Sequence, residues 1–322
     1  MFNILAITGP IYLTIVLGFA ATRMGLFSKA DMHVLGKFVI NLALPALLFN
    51  ALAQRPIGEV LNGPYMLVYA VGSLVTLSLG WLWARRVARQ DGATSAYYAM
   101  GMSCSNSGFV GYPIALLTLG PVAGVLLGLN MIVENLLLIP LLLALAERGE
   151  GRSGAWHLAL RQSLMNLLRN PMVLGLLAGL MVSLMGWKLP SPVGRTVTLF
   201  SQASGALSLF VIGGTLVGLQ VQGIMRNQVA QIAVGKLLLH PLAVVAVLML
   251  LEAGGLMPME PQLRMGLVLT AACPMLGIYP ILAQKHGRDG LAAAALLGAT
   301  VASFVSISLV LWVFRQLLGW GH

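Results

Sequence analysis

Residues 101–113 read GMSCSNSGFVGYP. Thirteen positions hold three glycines, three serines, an asparagine and a proline. The residues on either side are apolar enough to enter a membrane, yet this stretch is hostile to a continuous helix. Backbone groups freed in hydrocarbon cost several kcal/mol each unless protein or a water-filled cavity covers them. A break of this kind at membrane depth therefore implies a site, or at the least a kink buried by packing.

The composition around the break sets the class. The chain has 322 residues, 58% hydrophobic and 9% charged. Soluble domains carry roughly 25% charged residues. So apolar a chain cannot cover a water-soluble globule, and it reads as an all-α integral membrane protein. The net charge of +10 is spread as on a membrane surface, so it argues for the lipid bilayer as partner and against nucleic acid. Cys104 and Cys273 form no disulfide framework or zinc pattern. No phosphate-binding loop, H-E-x-x-H motif or carboxylate cluster occurs. Nothing therefore points to ATP-driven transport, enzymatic activity, a metal or a cofactor.

A spanning helix needs about 20 apolar residues. Ten candidates follow, at about 4–22, 35–53, 64–84, 94–119, 121–146, 171–188, 198–220, 229–251, 264–284 and 290–314. The N-terminus lacks the basic start of a cleaved signal peptide and reads as the first span. The long polar connection, 147–170, is expected to lie on the inside and to hold an amphipathic helix. With both termini outside, thirteen Lys and Arg fall on inside loops and five on outside loops. That is the distribution cytoplasmic loops favour.

The tripeptide Tyr-Pro-Ile occurs at 112–114 and at 279–281, an offset of 167. The same offset carries the first five spans onto the second five. The chain thus divides into a first repeat (1–146), a connecting loop (147–170) and a second repeat (171–322). An odd number of spans turns the second copy upside down, as in secondary transporters. The interrupted spans are the fourth and the ninth, which correspond under the repeat. Pro113 and Pro280 suit the first position of a half-helix. Half-helix N-termini offer free N–H donors and partial positive charge, so two of them at the midplane would attract an anion. Ser105, Asn106 and Ser107 add donors at the first break, with Gly108 and Gly111 following. Cys273, Pro274, Gly277 and Tyr279 belong to the second.

Ionisable groups inside spans are costly and are functional candidates. Glu134 has Asn130 one turn earlier and Asn135 beside it; it would carry a proton, orient a polar substrate or pair with Lys236. The structural alternative is a pair that packs two helices. Lys236 and His240 share a helix face. For Lys236, snorkelling to the interface competes with an anion counter-charge or coupling role. In the second span, Pro45 reads as a kink and Asn41 as a cavity-lining residue.

NLALPALLFNALA (41–53), SNSGFVGYPIALLTLGP (105–121) and TVASFVSISLVLW (300–312) resemble the auxin efflux carrier family. That family joins plant PIN-formed auxin carriers to bacterial malonate and malate permeases, within the bile-acid/sodium symporter-like folds. The resemblance covers essentially the whole chain and looks like the bacterial branch. It implies ten transmembrane helices in two inverted five-helix repeats, with helices 4 and 9 crossing at their breaks. It also implies a scaffold of helices 1, 2, 6 and 7, a homodimer, and an elevator motion across the bacterial inner membrane. The family's first-crossover asparagine maps onto Asn106, and site-facing residues of the fifth helix map near Asn130, Glu134 and Asn135. The position 167 residues after Asn106 is Cys273, so the second crossover lacks the asparagine of plant members. A small carboxylate such as malonate is then expected rather than an aromatic auxin-like acid. Glu134 leaves proton coupling open; the alternatives are a weak-acid efflux uniporter driven by membrane potential, or an anion channel.

Overall fold

A computed structural model describes residues 2–53, 61–151, 161, 165, 168–217, 226–255 and 259–318. Most of the expected amphipathic helix within 147–170 lies outside the described residues. The described residues are mostly helical, with no strand among them. Six helical stretches among them are long and apolar enough to cross a membrane, and Pro171–Met185 is a shorter apolar helix. Large apolar side chains such as Leu17, Leu177, Leu242 and Val305 are exposed, which suits a surface facing hydrocarbon.

The α-helices run in chain order. They are α1 (Phe2–Arg23), α2 (Lys29–Phe38), α3 (Leu44–Ala53), α4 (Gly63–Arg86), α5 (Gly92–Ser103), α6 (Tyr112–Leu119), α7 (Ala123–Val133) and α8 (Ile139–Gly149). After the connection come α9 (Pro171–Met185), α10 (Ser191–Thr215), α11 (Arg226–Val234), α12 (His240–Ala253), α13 (Pro261–Ala272), α14 (Tyr279–Gln284) and α15 (Asp289–Leu318). Their starts follow local chemistry. Ser28 and Asp31 form a reciprocal capping box at α2. The Asp91 carboxylate accepts from the Thr94 amide at 2.8 Å, and Asn170 accepts from Met172 at 2.9 Å.

Four helical segments contain a widened, π-type turn: Val39–Ala43, Ser107–Gly111, Glu134–Leu138 and Gly235–Leu239. Each ends two residues before a proline, respectively Pro45, Pro113, Pro140 and Pro241. Proline has no N–H and clashes with the carbonyl four residues back. Widening the turn relieves the clash. The residue before the proline then donates five residues back: Leu44 to Val39, Ile139 to Glu134, and His240 to Gly235. The four prolines thus explain where the helices change pitch.

The chain forms two compact units, each drawing on both halves of the sequence. The first holds Met1–Asn62, Gly108–Met131 and Asn166–Gly218. Its helices approach through small residues. Gly175 and Gly179 of α9 lie on Pro45 and Phe49 of α3, and Gly18 of α1 and Gly213 of α10 each meet the other helix's backbone. A side chain at any of these would displace main chain, the usual reason for paired glycines between membrane helices. The second unit holds Gly63–Ser107, Ile132–Met165 and Leu219–His322. Its centre is α5, buried from Ala93 to Ser103. Gly72 of α4 meets Val244 of α12, and Gly92 at the start of α5 meets the backbone of Gly149 at the end of α8.

Candidate functional site

Helix α5 stops at Cys104, whose backbone is extended (φ −100°, ψ 141°). Helical winding resumes at Ser107. The first break is therefore residues 104–106. Pro113 is not the first residue of the second half-helix: it follows a complete wide turn, as residue two of α6. The N–H groups freed by the break are accordingly those at Ser107 and just beyond. The second break follows α13, with Cys273 also extended (φ −66°, ψ 155°), and α14 starts at Tyr279 with Pro280 in its first turn.

The two breaks touch. The Asn106 amide donates to the Pro274 carbonyl at 2.8 Å. A Cβ placed on Gly277 would sit 3.7 Å from Asn106 Nδ2, so the asparagine side chain lies along the second break. Tyr279 is buried; its hydroxyl donates to the Tyr97 carbonyl of α5 at 2.7 Å. Cys104 and Cys273 are both buried free thiols.

A polar network surrounds this junction. Glu134 opens its π-type turn and is buried. Its Oε1 accepts from the Tyr69 hydroxyl at 2.7 Å and from the Ser105 amide at 2.7 Å. Lys236, in the turn before Pro241, is 0% exposed. Its ammonium donates to Ser105 Oγ at 2.7 Å, to His240 Nδ1 at 2.6 Å and to the Ala271 carbonyl at 3.1 Å. All three donors of a charged lysine are thereby used. His240 must then accept at Nδ1 and carry its proton on Nε2, which meets Ser73 Oγ at 3.0 Å. Lys236 does not snorkel. It and Glu134 are joined through Ser105, which receives the lysine on its hydroxyl and gives its amide to the carboxylate. The unfavourable burial of each charge is offset by donors, acceptors and an opposite charge nearby.

The sequence-derived residues separate into groups. Ser105, Asn106, Glu134, Lys236, Pro274, Gly277 and Tyr279 come together in the second unit, with Cys273 beside them. Gly108, Gly111, Pro113, Asn130 and Asn41 belong to the first unit. Asn130 is buried. Asn41 is exposed and its amide donates to the Lys37 carbonyl of its own helix at 2.7 Å. Ser107 is buried in the second unit, and Asn135 and Pro280 are half-buried. Sequence reasoning missed Tyr69 and Ser73 as partners. Their signal was present: 167 added to 69 and 73 gives 236 and 240, the two ionisable residues at the junction of α11 and α12.

A chain of apolar helices, two of them broken and joined around buried ionisable groups, defines a polytopic membrane transporter. Residues 6–313 match the family described as "Membrane transport protein", and the chain belongs to that family, the auxin efflux carriers. It is 25% identical to the "Putative malonate transporter" of Rhizobium meliloti over 320 residues, 98% of this chain and 97% of that protein. It is 24% identical to the "Uncharacterized transporter YfdV" of Escherichia coli K12 over 312 residues, 95% of each.

Proposed function

We propose that this transporter is a secondary carrier of small organic anions, of the malonate and malate class, in the bacterial inner membrane. The observation that carries the reading is the junction of the two breaks, Asn106 to Pro274, set against the Glu134–Ser105–Lys236 network. Broken helices at corresponding positions are where secondary transporters bind substrate. The N–H groups at Ser107 and just beyond, with the Asn106 side chain beside them, are the donors for a carboxylate. Lys236 neutralises the region without itself touching the anion, since its three donors are engaged. The name of the Rhizobium relative is in keeping with a short dicarboxylate.

The ten helices are read as two inverted repeats. Adding 167 to Gly63–Arg86 gives 230–253, within α11 and α12, and adding it to Tyr112 gives the start of α14. The Ser73–His240 contact joins residues 167 apart. A residue meets its own repeat equivalent only on the axis relating two copies. The first contact unit contains the helices of spans one, two, six and seven. We assign those four spans to the scaffold of a homodimer, and the remaining spans, both broken helices included, to the moving part of an elevator, with both termini outside.

Uptake into proteoliposomes tests the reading. Radiolabelled malonate should accumulate and indole-3-acetate should not. Asn106→Ala should lower malonate uptake at least tenfold, with the protein still folded and inserted. Normal uptake by that variant would move the site away from the break.

A second reading has its own support. Glu134 and Lys236 compensate one another through Ser105, so the network is closed without an exchangeable proton. A uniporter driven by membrane potential fits that closure. Glu134→Gln separates the two readings: it should flatten the pH dependence of uptake in a proton-coupled carrier and leave it unchanged in a uniporter.

A further inference from the structure

A recess opens within the second unit, where α4 and α8 end and α5 begins. Its volume is about 440 Å³, and Trp81, Arg85, Gly92, Leu145, Arg148 and Gly149 line it. Sites for small molecules span about 300–1,000 Å³. The recess uses none of the residues of the broken-helix junction.

Local chemistry builds it. A Cβ on Gly92 would come 2.5 Å from Gly149 Cα. The start of α5 and the end of α8 therefore touch backbone to backbone, and neither glycine fills the space beside the contact. On α4, Trp81 and Arg85 are one turn apart on a shared face; on α8, Leu141, Leu145 and Arg148 share another. Each face runs from apolar to basic toward the start of α5, since both arginines lie in the last turn of their helices. Leu82, Trp83, Val87 and Leu141 are exposed at the same ends, which is the pattern of a surface passing from hydrocarbon to headgroups.

The charge at the recess is unbalanced. Arg85 Nη1 donates to the Gln90 carbonyl at 2.9 Å, which uses one of its five N–H donors. The Arg148 guanidinium has no partner among the described residues. The acids nearest in sequence are engaged elsewhere. Asp91 accepts from Thr94 and pairs with Arg288, Glu147 is ion-paired with Lys285, and Glu150 lies 3.9 Å from His286 Nε2. Cations at helix C-termini suit the peptide dipoles, but dipoles give no reason for an aromatic and apolar recess between them.

We propose that this recess binds the phosphate of an anionic phospholipid. Arg85 and Arg148 supply charge-assisted donors to the phosphate oxygens, and Gly92 lets the anion approach the N–H groups of the first turn of α5. Trp81 and Leu145 pack against the glycerol and the first acyl carbons. A free phosphate would use the arginines alone; the apolar lining continuous with the exposed ends of α4 and α8 selects a lipid. A zwitterionic headgroup would bring an ammonium toward two guanidiniums. In the orientation proposed above the recess faces the inner leaflet, where basic pockets between spanning helices meet anionic headgroups.

Native mass spectrometry of the purified full-length protein in detergent, titrated with phosphatidylglycerol, tests the site without a transport assay. The wild type should retain phosphatidylglycerol in preference to phosphatidylcholine. Arg85→Gln/Arg148→Gln should weaken that binding about tenfold or more, and Arg85→Lys/Arg148→Lys should restore part of it. Arg86→Gln/Arg89→Gln removes as much charge from the same end of α4 outside the recess, and should lose much less. All four arginines are exposed, so none of these substitutions opens a core. Equal retention of the two lipids would overturn the proposal. So would a loss in the Arg85/Arg148 glutamine variant no larger than in the Arg86/Arg89 one. Displacement of the lipid by inorganic phosphate at matched ionic strength would make this a free-phosphate site and overturn the lipid assignment.

Discussion

Ser105 is the residue that joins the two ionisable groups of the candidate site. Its amide serves Glu134 and its hydroxyl serves Lys236, so removing the side chain separates two effects. Ser105→Ala keeps the amide bond and deprives the buried, charged Lys236 of one of three acceptors, at a cost of about 1.5–3 kcal/mol. Lys236→Met is a different matter. It leaves Glu134 buried without a nearby cation and leaves Ser105 Oγ and His240 Nδ1 without their donor. Breaking a buried charge arrangement in this way costs about 3–5 kcal/mol. Thermal unfolding of the purified variants should therefore show a smaller loss for Ser105→Ala than for Lys236→Met. Equal losses would mean that the lysine's charge contributes nothing beyond its hydrogen bonds. Glu134 and Lys236 stand out in the sequence because charge inside apolar helices is rare. Ser105 does not stand out as the bridge, because the three residues are joined by contacts across 29 and 131 positions.

At the scale of elements, prolines and caps decide geometry. Glu134 and Lys236 both sit in π-type turns that end two residues before Pro140 and Pro241. Replacing either proline by alanine lets the turn close to ordinary α pitch. One residue is then removed from the loop of the turn, and side chains before it rotate by about 100°. Pro241→Ala should therefore swing Lys236 away from Ser105 and reduce transport, although alanine is itself the better helix former. A variant that is more stable and fully active would show that the proline is not what orients the lysine. Spans and breaks are legible in the sequence because apolar length, glycine and proline are local signals. The pitch changes are not legible in the same way. A proline such as Pro45, Pro140 or Pro241 announces a disturbed helix, but a bend and a widened turn relieve its clash equally well, and neighbouring helices choose between them. Pro113 carries the same ambiguity, which is why the half-helix begins one wide turn before it rather than at it. The cap of α5 carries a pH prediction. Burial raises the pKa of Asp91, but hydrogen bonds from Thr94 and the charge of Arg288 outweigh it and hold the carboxyl below its ordinary value. A depressed folded pKa means stability that is present above the unfolded value, about 4, and lost as pH falls through the lower folded value. Acid titration of unfolding should show that loss in the wild type. Asp91→Asn, which keeps a capping side chain but cannot titrate, should show less of it, and an identical acid profile would remove Asp91 from the account.

For the whole molecule the governing quantity is the charge moved per cycle. An inside-negative potential opposes entry of an anion by about 2.3 kcal/mol per charge per 100 mV. A malonate dianion entering alone at about 100 mV thus works against about 4.6 kcal/mol, which is more than roughly a thousandfold concentration ratio at equilibrium. Two accompanying protons would cancel the charge and make entry insensitive to potential. One proton would leave half of the opposition. Potential dependence at fixed pH therefore counts the net charge, and pH dependence at zero potential counts the protons. If the carrier is proton-coupled, malonate uptake into vesicles clamped at zero potential should rise with an inward proton gradient, and the rise should vanish in Glu134→Gln. If the rise persists in that variant, the coupling proton is carried elsewhere. If there is no rise at all but an inside-positive potential drives entry, the cycle moves the anion alone. The Glu134–Ser105–Lys236 network is then a fixed internal ion pair that holds the two breaks together and exchanges nothing with solvent.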